Sequence, residues 1–376
     1  MKKTTSAILA MVMLLSVLLL AGCNGNFYEP VPSTQEEATT VMILKIGDKT
    51  YEVKYELYRA LFLNFKSEVD GGDESVWSGA DKDKYISEIE QIILDYATDI
   101  YATFYLAESV GINPYSDEIG REVNEYINAS VEGGTVNGST YEGYESYEKY
   151  LEKLTELHLN YSVQSLLFRY SVVMDRLDEH YLGDYIDGEI NEGDKGGALP
   201  LTEQLVRDFY NSDGCVRVIR TYVSESMSED PNRPQYVRDA IAAVAAGGGE
   251  ESVRNAMISY GALIPIHEME NGYIVGKYNL DESFFGKMVD AAFELEVGEV
   301  SEVVTVHDGL EYYHYIIYRA EKSDEHFDAN YSSIAYIYLK NEVGKSLNDA
   351  AKTMTDAVVR TEFLKNLSHS EISMTK

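Results

Sequence analysis

Cysteine and positive charge are both scarce in this sequence. Two cysteines in 376 residues exclude a disulfide framework, so the fold must be held by its core. Lys and Arg number 31 against 64 Asp and Glu, for a net charge of −33. A surface this acidic is repelled by nucleic acid and by bare anionic lipid, which removes nucleic acid as a partner. Metal and nucleophile motifs are missing too. The seven histidines (His158, His180, His267, His307, His314, His326, His369) are scattered, with no His-Glu-x-x-His. No Gly-x-Ser-x-Gly elbow occurs. The acidic, glycine-rich stretch Gly183–Gly197 lacks the one-three-five spacing of a calcium loop and reads as a linker. Gly247-Gly248-Gly249 lacks the Lys-Ser/Thr of a phosphate loop and reads as a turn between helices. No metal and no cofactor is expected, and no internal repeat of 20–50 residues is found.

At the N-terminus Lys2 and Lys3 precede an apolar run from Ala7 to Leu20 interrupted only by Ser16. The run is short for a membrane-spanning helix and reads as an export signal. Leu20-Ala21-Gly22-Cys23 resembles a bacterial lipobox, in which the cysteine thiol is diacylated and the chain is cut before it. The resemblance implies a signal peptide over 1–22, a lipid on Cys23, and a protein tethered to the outer face of the cell membrane, since two acyl chains hold far better than one. The polar, Pro-containing stretch that follows suits a flexible tether over 23–40. Cys215 is then left without an intramolecular partner and is expected to be a small buried residue.

With 45 % apolar residues the chain can bury a sizeable core, in more than one domain. Val41–Val53 reads as two short strands around Gly47-Asp48. Tyr55–Val69 and Lys82–Val110 carry apolar residues at three and four, as in Ile86, Ile89, Ile93, Ala97, Ile100 and Phe104. A further helix starts near Ser116, at least one more lies in Tyr144–Tyr181, and 133–143 reads as a loop. Beyond the acidic boundary come a short helix (Leu201–Asn211), a strand (Cys215–Val223), helices Gln235–Ala246, Glu250–Tyr260 and Phe284–Leu295, and strands Val300–Val306 and Glu311–Arg319. Tyr331–Met354 is again helix-periodic, and Ala357–Arg360 has the composition of a short strand.

"AAFELEVGEVSEVVTVHDGLEYYHYIIYRAEK", residues 291–322, resembles the end of a parvulin-type prolyl isomerase domain, with its Ala-Phe, Leu, Gly-Glu-Val-Ser and a closing strand ending Ile-Ile. "LTEQLVRDFYNSDG" resembles the linker helix before such a domain and "CVRVIRTYV" its first strand. "LKIGDKTYEVKYELYRALF" resembles the opening of the chaperone module in SurA- and PrsA-type foldases. The resemblance implies an α+β chain: a helical chaperone module over 41–200, a linker helix and parvulin-like domain over 201–322, and a C-terminal helical segment, 323–376, packing back on the chaperone module.

It also implies where a site would lie. Parvulin sites pair two strand histidines with an apolar proline pocket and a Cys or Asp. Here the first-strand histidine position is Arg220 and the closing-strand position is Tyr315, while His314 stands one residue early. On a strand a shift of one reverses the face, so His314 is expected to point away from the pocket. The pocket positions fall on Phe284, Met288 and Phe293. The Cys/Asp position falls in Ser259–Gly276, where Asn271 and His267 lie but no residue aligns. Arg220, Tyr315 and His314 are therefore the catalytic candidates, and Phe284, Met288 and Phe293 the substrate-binding ones. The partners implied are unfolded, exported polypeptides with Xaa-Pro segments. The 31 tyrosines, among them Tyr96, Tyr101, Tyr105, Tyr144, Tyr147 and Tyr150 in the helical part, offer adaptable amphipathic contact. The competing readings are a non-catalytic holdase or scaffold of the same fold and, further off, a solute-binding lipoprotein. A homodimer through the helical module is compatible with the sequence and not demanded by it.

Overall fold

The computed structural model describes residues 28, 30–187, 195–224, 226, 230–261, 271–278, 286–307, 312–354, 362–369 and 372. Cys23, the signal segment, His267, Phe284 and the strand expected at Ala357–Arg360 lie outside them. The fold is α+β. It divides into two compact units: one holds the chain up to Leu177 and again from Ser346, the other is Asp178–Lys345. The second is thus inserted in the sequence of the first.

The first unit begins with the antiparallel hairpin β1 (Thr40–Ile46) and β2 (Lys49–Lys54), then α1 (Tyr55–Asp70), α2 (Lys82–Ser109) and α3 (Asp117–Glu132). Ser116 caps α3 by accepting a hydrogen bond from the Ile119 amide. The stretch read as a loop, 133–143, contains a small hairpin, β3 (Gly134–Val136) and β4 (Ser139–Tyr141). Its turn is Asn137-Gly138, with φ of 45° and 79°, the two left-handed residues a tight hairpin needs. That dipeptide is the signal the sequence reading passed over. α4 (Tyr147–Glu156) and α5 (Tyr161–Leu182) complete the helices before the insertion. After it, Met354 bridges Ile46, and in the last turns Tyr58 and the His369 ring share a buried hydrogen bond of 2.8 Å.

Residues 33–39, which the sequence reading places in the tether, are fastened to this unit. Arg59 donates to Glu37 at 2.6 Å, Asn160 at 3.3 Å and the Thr34 amide at 2.8 Å. Burial works against the Glu37 charge, but the bonds from Thr34, Arg59 and Asn160 outweigh it and hold its pKa down to about 2. A depressed carboxylate stabilises above its ordinary pKa of 4.5 and loses that contribution as pH falls toward 2. Glu37→Gln at neutral pH should therefore lower hydrogen-exchange protection over residues 33–39 by roughly tenfold, as expected for a bond to a charged group. The wild-type chain should show the same loosening between pH 4.5 and 2.

The second unit opens with α6 (Glu203–Asn211) and is built on a four-stranded antiparallel sheet. The strands are β5 (Cys215–Ser224), β6 (Tyr273–Gly276), β7 (Val304–His307) and β8 (Tyr312–Ala320), in the order β6-β5-β8-β7. β7 is shorter than the expected Val300–Val306; Val300 instead makes an isolated bridge to Tyr318. Both faces are covered, so β5 is buried along nearly its whole length and does not alternate between buried and exposed. On one face Ile219, Val223, Ile316 and Tyr318 pack against α7 (Arg233–Ala245) and α8 (Glu250–Tyr260). On the other, Val216, Val218, Val275 and Ile317 pack against Met288 and Ala292 of α9 (Gly286–Glu294). Each fully buried Ile or Met contributes about 1.5–3 kcal/mol. Cys215 is buried and free, as expected, and burial pushes its thiol up to about 11. α10 (Asp324–Ala329) and the first turns of α11 (Tyr331–Lys352) close this unit, with Lys340 paired to Asp178 at 2.7 Å.

Candidate functional site

Strand alternation decides which candidate residues meet. Along β5, Val216, Val218, Arg220 and Tyr222 project to the α9 face; along β8, Tyr313, Tyr315 and Ile317 do the same. Arg220 is registered opposite Ile317, and Tyr222 opposite Tyr315. From the neighbouring edge strand comes Tyr273, which is opposite Val218. Tyr315, Met288 and Arg220 therefore share one face.

The guanidinium of Arg220 lies over the Tyr273 ring, its carbon 4.0 Å from the ring centroid, and one nitrogen donates to the Met288 thioether at 3.4 Å. A planar cation seated on an aromatic face is fixed in orientation as well as in position. Beside it the three tyrosines form a cluster. Tyr222 meets Tyr313 edge-on at 5.4 Å and Tyr315 at 5.5 Å, and Tyr313 stacks near Tyr315 at 6.5 Å. Tyr315 is only 8 % exposed. Phe293, half-buried, packs at the margin of the same cluster. So of the candidates, Arg220, Tyr315, Met288 and Phe293 come together.

His314 does not join them. It is paired across the sheet with Thr305, its Nδ1 sharing a 3.0 Å hydrogen bond with the Thr305 hydroxyl. By alternation it lies on the side of Ile316 and Tyr318, the α7–α8 face. No bulge corrects the register: the pairing of β5 with β8 runs residue for residue from Arg217↔Ala320 to Ser224↔Tyr313. His314→Ala should lower stability by about 1 kcal/mol, the worth of one hydrogen bond, and leave peptide binding at the Arg220 face unchanged. Titration of a labelled Xaa-Pro peptide, read beside a urea melt, checks both.

Tyr273 and Tyr222 are the residues the sequence reading missed. Tyr222 was legible, two residues past Arg220 on a strand and so on its face. Tyr273 lies in the segment where no family position could be placed, and only its alternation with Val275 marks it as a strand residue on this side. Asn271 turns out to serve structure: its carbonyl accepts from the buried Arg217 at 2.7 Å.

Chemically the face offers a fixed donor, a soft thioether and several aromatic rings. Among the described residues, no group of three or more His, Cys, Asp or Glu is placed to hold a metal ion. Nor is any helix among them long and apolar enough to cross a membrane.

No protein-family model matches the chain, and no curated protein matches it. Among solved structures it is similar to the foldase protein PrsA of Streptococcus pneumoniae, at 14% identity and a TM-score of 0.27, over 74% of this chain and 89% of that one. PrsA of Bacillus subtilis is matched at 14% identity and a TM-score of 0.23, over 77% and 93%. The foldase protein PrsA of Lactococcus lactis is matched at 13% identity and a TM-score of 0.24, over 88% and 99%.

Proposed function

We propose that this chain is a membrane-anchored, extracytoplasmic foldase, held by lipid on Cys23. Its helical unit holds exported, unfolded polypeptides, and its sheet unit binds Xaa-Pro segments across the Arg220–Tyr315 face and speeds their cis–trans exchange. The observation that carries the reading is the fixed guanidinium of Arg220, set among aromatic rings and a thioether on one sheet face.

Prolyl isomerisation breaks no bond and needs no nucleophile. Its barrier, about 18–20 kcal/mol, is the loss of amide resonance on twisting. In the twisted amide the lone pair returns to the prolyl nitrogen, and a donor held near it stabilises that form over the planar one. Arg220 supplies such a donor without moving, because Tyr273 and Met288 already position it. The half-buried Phe293, with the wholly buried Met288 behind it, is the apolar surface for the proline ring, and the tyrosine cluster suits the residue before it.

The test is proline exchange in a short Ala-Phe-Pro-Ala peptide, followed by NMR exchange spectroscopy with the full chain held in lipid nanodiscs. Acceleration of exchange is expected. Binding without acceleration would reduce the sheet unit to a holdase surface, and absence of both would overturn the reading of this face.

A further inference from the structure

The first unit contains a cleft of about 900 Å3. It opens between the strip of residues 30–33, the first turns of α3 and the first turns of α5. We propose that this cleft is a docking groove for an extended segment of client polypeptide, which lays an apolar side chain on Tyr115 and its main chain along Gly120 and Arg121. The proposal deepens the chaperone reading above and rests on it.

Four observations point to a peptide as the occupant. First, Tyr115 is 57 % exposed, yet it is fixed: the Phe104 ring meets it edge-on at 5.8 Å and the Arg169 guanidinium lies 5.2 Å over it. Arg169 is itself pinned by donating to the Pro114 carbonyl at 2.6 Å. A rigid, exposed aromatic ring binds with little loss of freedom. Second, Val31, 45 % exposed, lines the same cleft, so two exposed large apolar side chains face one space.

Third, Gly120 lies inside α3, and a Cβ built on it would meet nothing within 4 Å. Glycine is among the weakest helix formers, and no neighbouring side chain or close-packed backbone requires it here. What its bare Cα does allow is close approach of another chain to the helix. Fourth, Arg121 has no ion-pair or hydrogen-bond partner among the described residues, in a chain with twice as many acids as bases. Its near neighbours Glu118 and Glu122 are held instead by Arg176. Asp117 also lines the cleft, and no ion pair joins it to Arg121. A cleft that keeps a lone donor and a lone acceptor apart suits a peptide main chain, which brings a carbonyl for the one and an N–H for the other.

The strip that forms one wall has no regular secondary structure, with Pro30 and Pro32 either side of Val31. Ser33, at its end, donates to Glu56 at 2.5 Å, which fixes the wall in place.

The experiment uses a proline-free octapeptide, Gly-Ser-Leu-Phe-Leu-Gly-Ser-Gly, so that the sheet face is not the site being read. It is labelled with fluorescein for anisotropy, and in a second form carries benzoylphenylalanine in place of Phe for photocross-linking. The full chain in lipid nanodiscs is titrated as wild type, Gly120→Leu and Tyr115→Ala. Gly120→Leu fills the cleft with a better helix former, so it should weaken binding at least tenfold with no loss of thermal stability. Tyr115→Ala should weaken binding similarly, and the cross-links should map to residues lining the cleft. Unchanged affinity in Gly120→Leu, or cross-links elsewhere, overturns the proposal; so do links only between two copies of this chain. Suppression of aggregation of reduced, unfolded α-lactalbumin is measured alongside. If it persists in wild type and Gly120→Leu while the octapeptide fails to bind, the cleft is wrong and the chaperone reading stands. If neither peptide binding nor suppression is seen, both fall.

Discussion

Arg217→Leu is expected to lower the unfolding free energy of the sheet unit by about 3–5 kcal/mol, the cost of leaving half of a buried ion pair behind. For a unit of this size that is a fall in melting temperature of roughly 10 °C. Arg217 sits on β5 with its side chain wholly buried. Its guanidinium donates twice to Glu250, at 2.8 Å each, once to the Glu321 carbonyl at 2.8 Å and once to the Asn271 carbonyl at 2.7 Å. Leucine would remove all four bonds, leave two carbonyls without their donor, and leave Glu250 with Arg254 alone. The surroundings are shaped for this one side chain: Gly272 has φ of +77°, and a Cβ there would stand 2.8 Å from the Arg217 Nε. Arg217→Leu combined with Glu250→Leu should recover part of the loss, since an apolar replacement of both partners is often tolerated. The pH dependence has a definite sign. Burial opposes the Glu250 charge, but the bonds from Arg217 outweigh it and its pKa lies below the ordinary value of 4.5. The pair therefore stabilises above that value and weakens as pH falls through the lowered pKa, so wild type and variant should converge in acid. Urea melts at pH 7 and pH 3 measure both effects. A loss under 1 kcal/mol at pH 7 would show that the pair contributes nothing to the fold.

The same strand shows how far the sequence could be read. "CVRVIRTYV" is legible as a strand, and its two arginines, three apart, must lie on opposite faces. Nothing local tells which one is wholly buried against Glu250 and which one lies half-buried beside Met288, because Glu250 is 33 residues from Arg217 and Met288 is 68 from Arg220. Those pairings exist only once the sheet order is set. The histidine question was different in kind. The parity of His314 and Tyr315 follows from a period of two, and the described sheet has them on the faces that parity assigns. The edges of the two units were not legible, since they fall inside α5 and α11. A helix that runs on through such a point keeps its 3.6-residue pattern and leaves no turn residue to mark it. The Pro30–Ser33 wall of the helical-unit cleft was hidden for a related reason. A short Pro-containing strip reads as linker, and the bonds that fix it to the unit, from Ser33 to Glu56, from Arg59 to Glu37 and from Tyr28 to Glu132, join residues far apart in sequence.

Arg220→Met should slow catalysed exchange of an Xaa-Pro peptide about 100-fold, the usual cost of removing one transition-state donor, while changing peptide affinity less than tenfold. Methionine is chosen because it keeps an apolar stem of similar reach against Met288 and Tyr273, so the wall survives and the donor goes. The split matters more than the size of the loss. A group that only helps hold the peptide stabilises planar and twisted amides alike, and its removal raises KM and spares kcat. A donor that meets the prolyl nitrogen only in the twisted form does the reverse. Arg220→Lys sharpens the test. Lysine keeps the charge, but its ammonium cannot lie flat on the Tyr273 ring, 4.0 Å beneath the native guanidinium, nor keep a planar fork of donors in register. If positioning is what counts, Arg220→Lys should stay within about tenfold of Arg220→Met. If charge alone sufficed, Lys would restore the rate. Tyr273→Leu removes the ring and leaves the cation, and should reproduce most of the Arg220→Lys defect. Exchange spectroscopy for the rate and chemical-shift titration for the affinity, run on the same four proteins, read the two quantities separately. Equal losses of rate and affinity across the series would mean that Arg220 is a binding residue, and that the sheet unit holds proline segments without turning them.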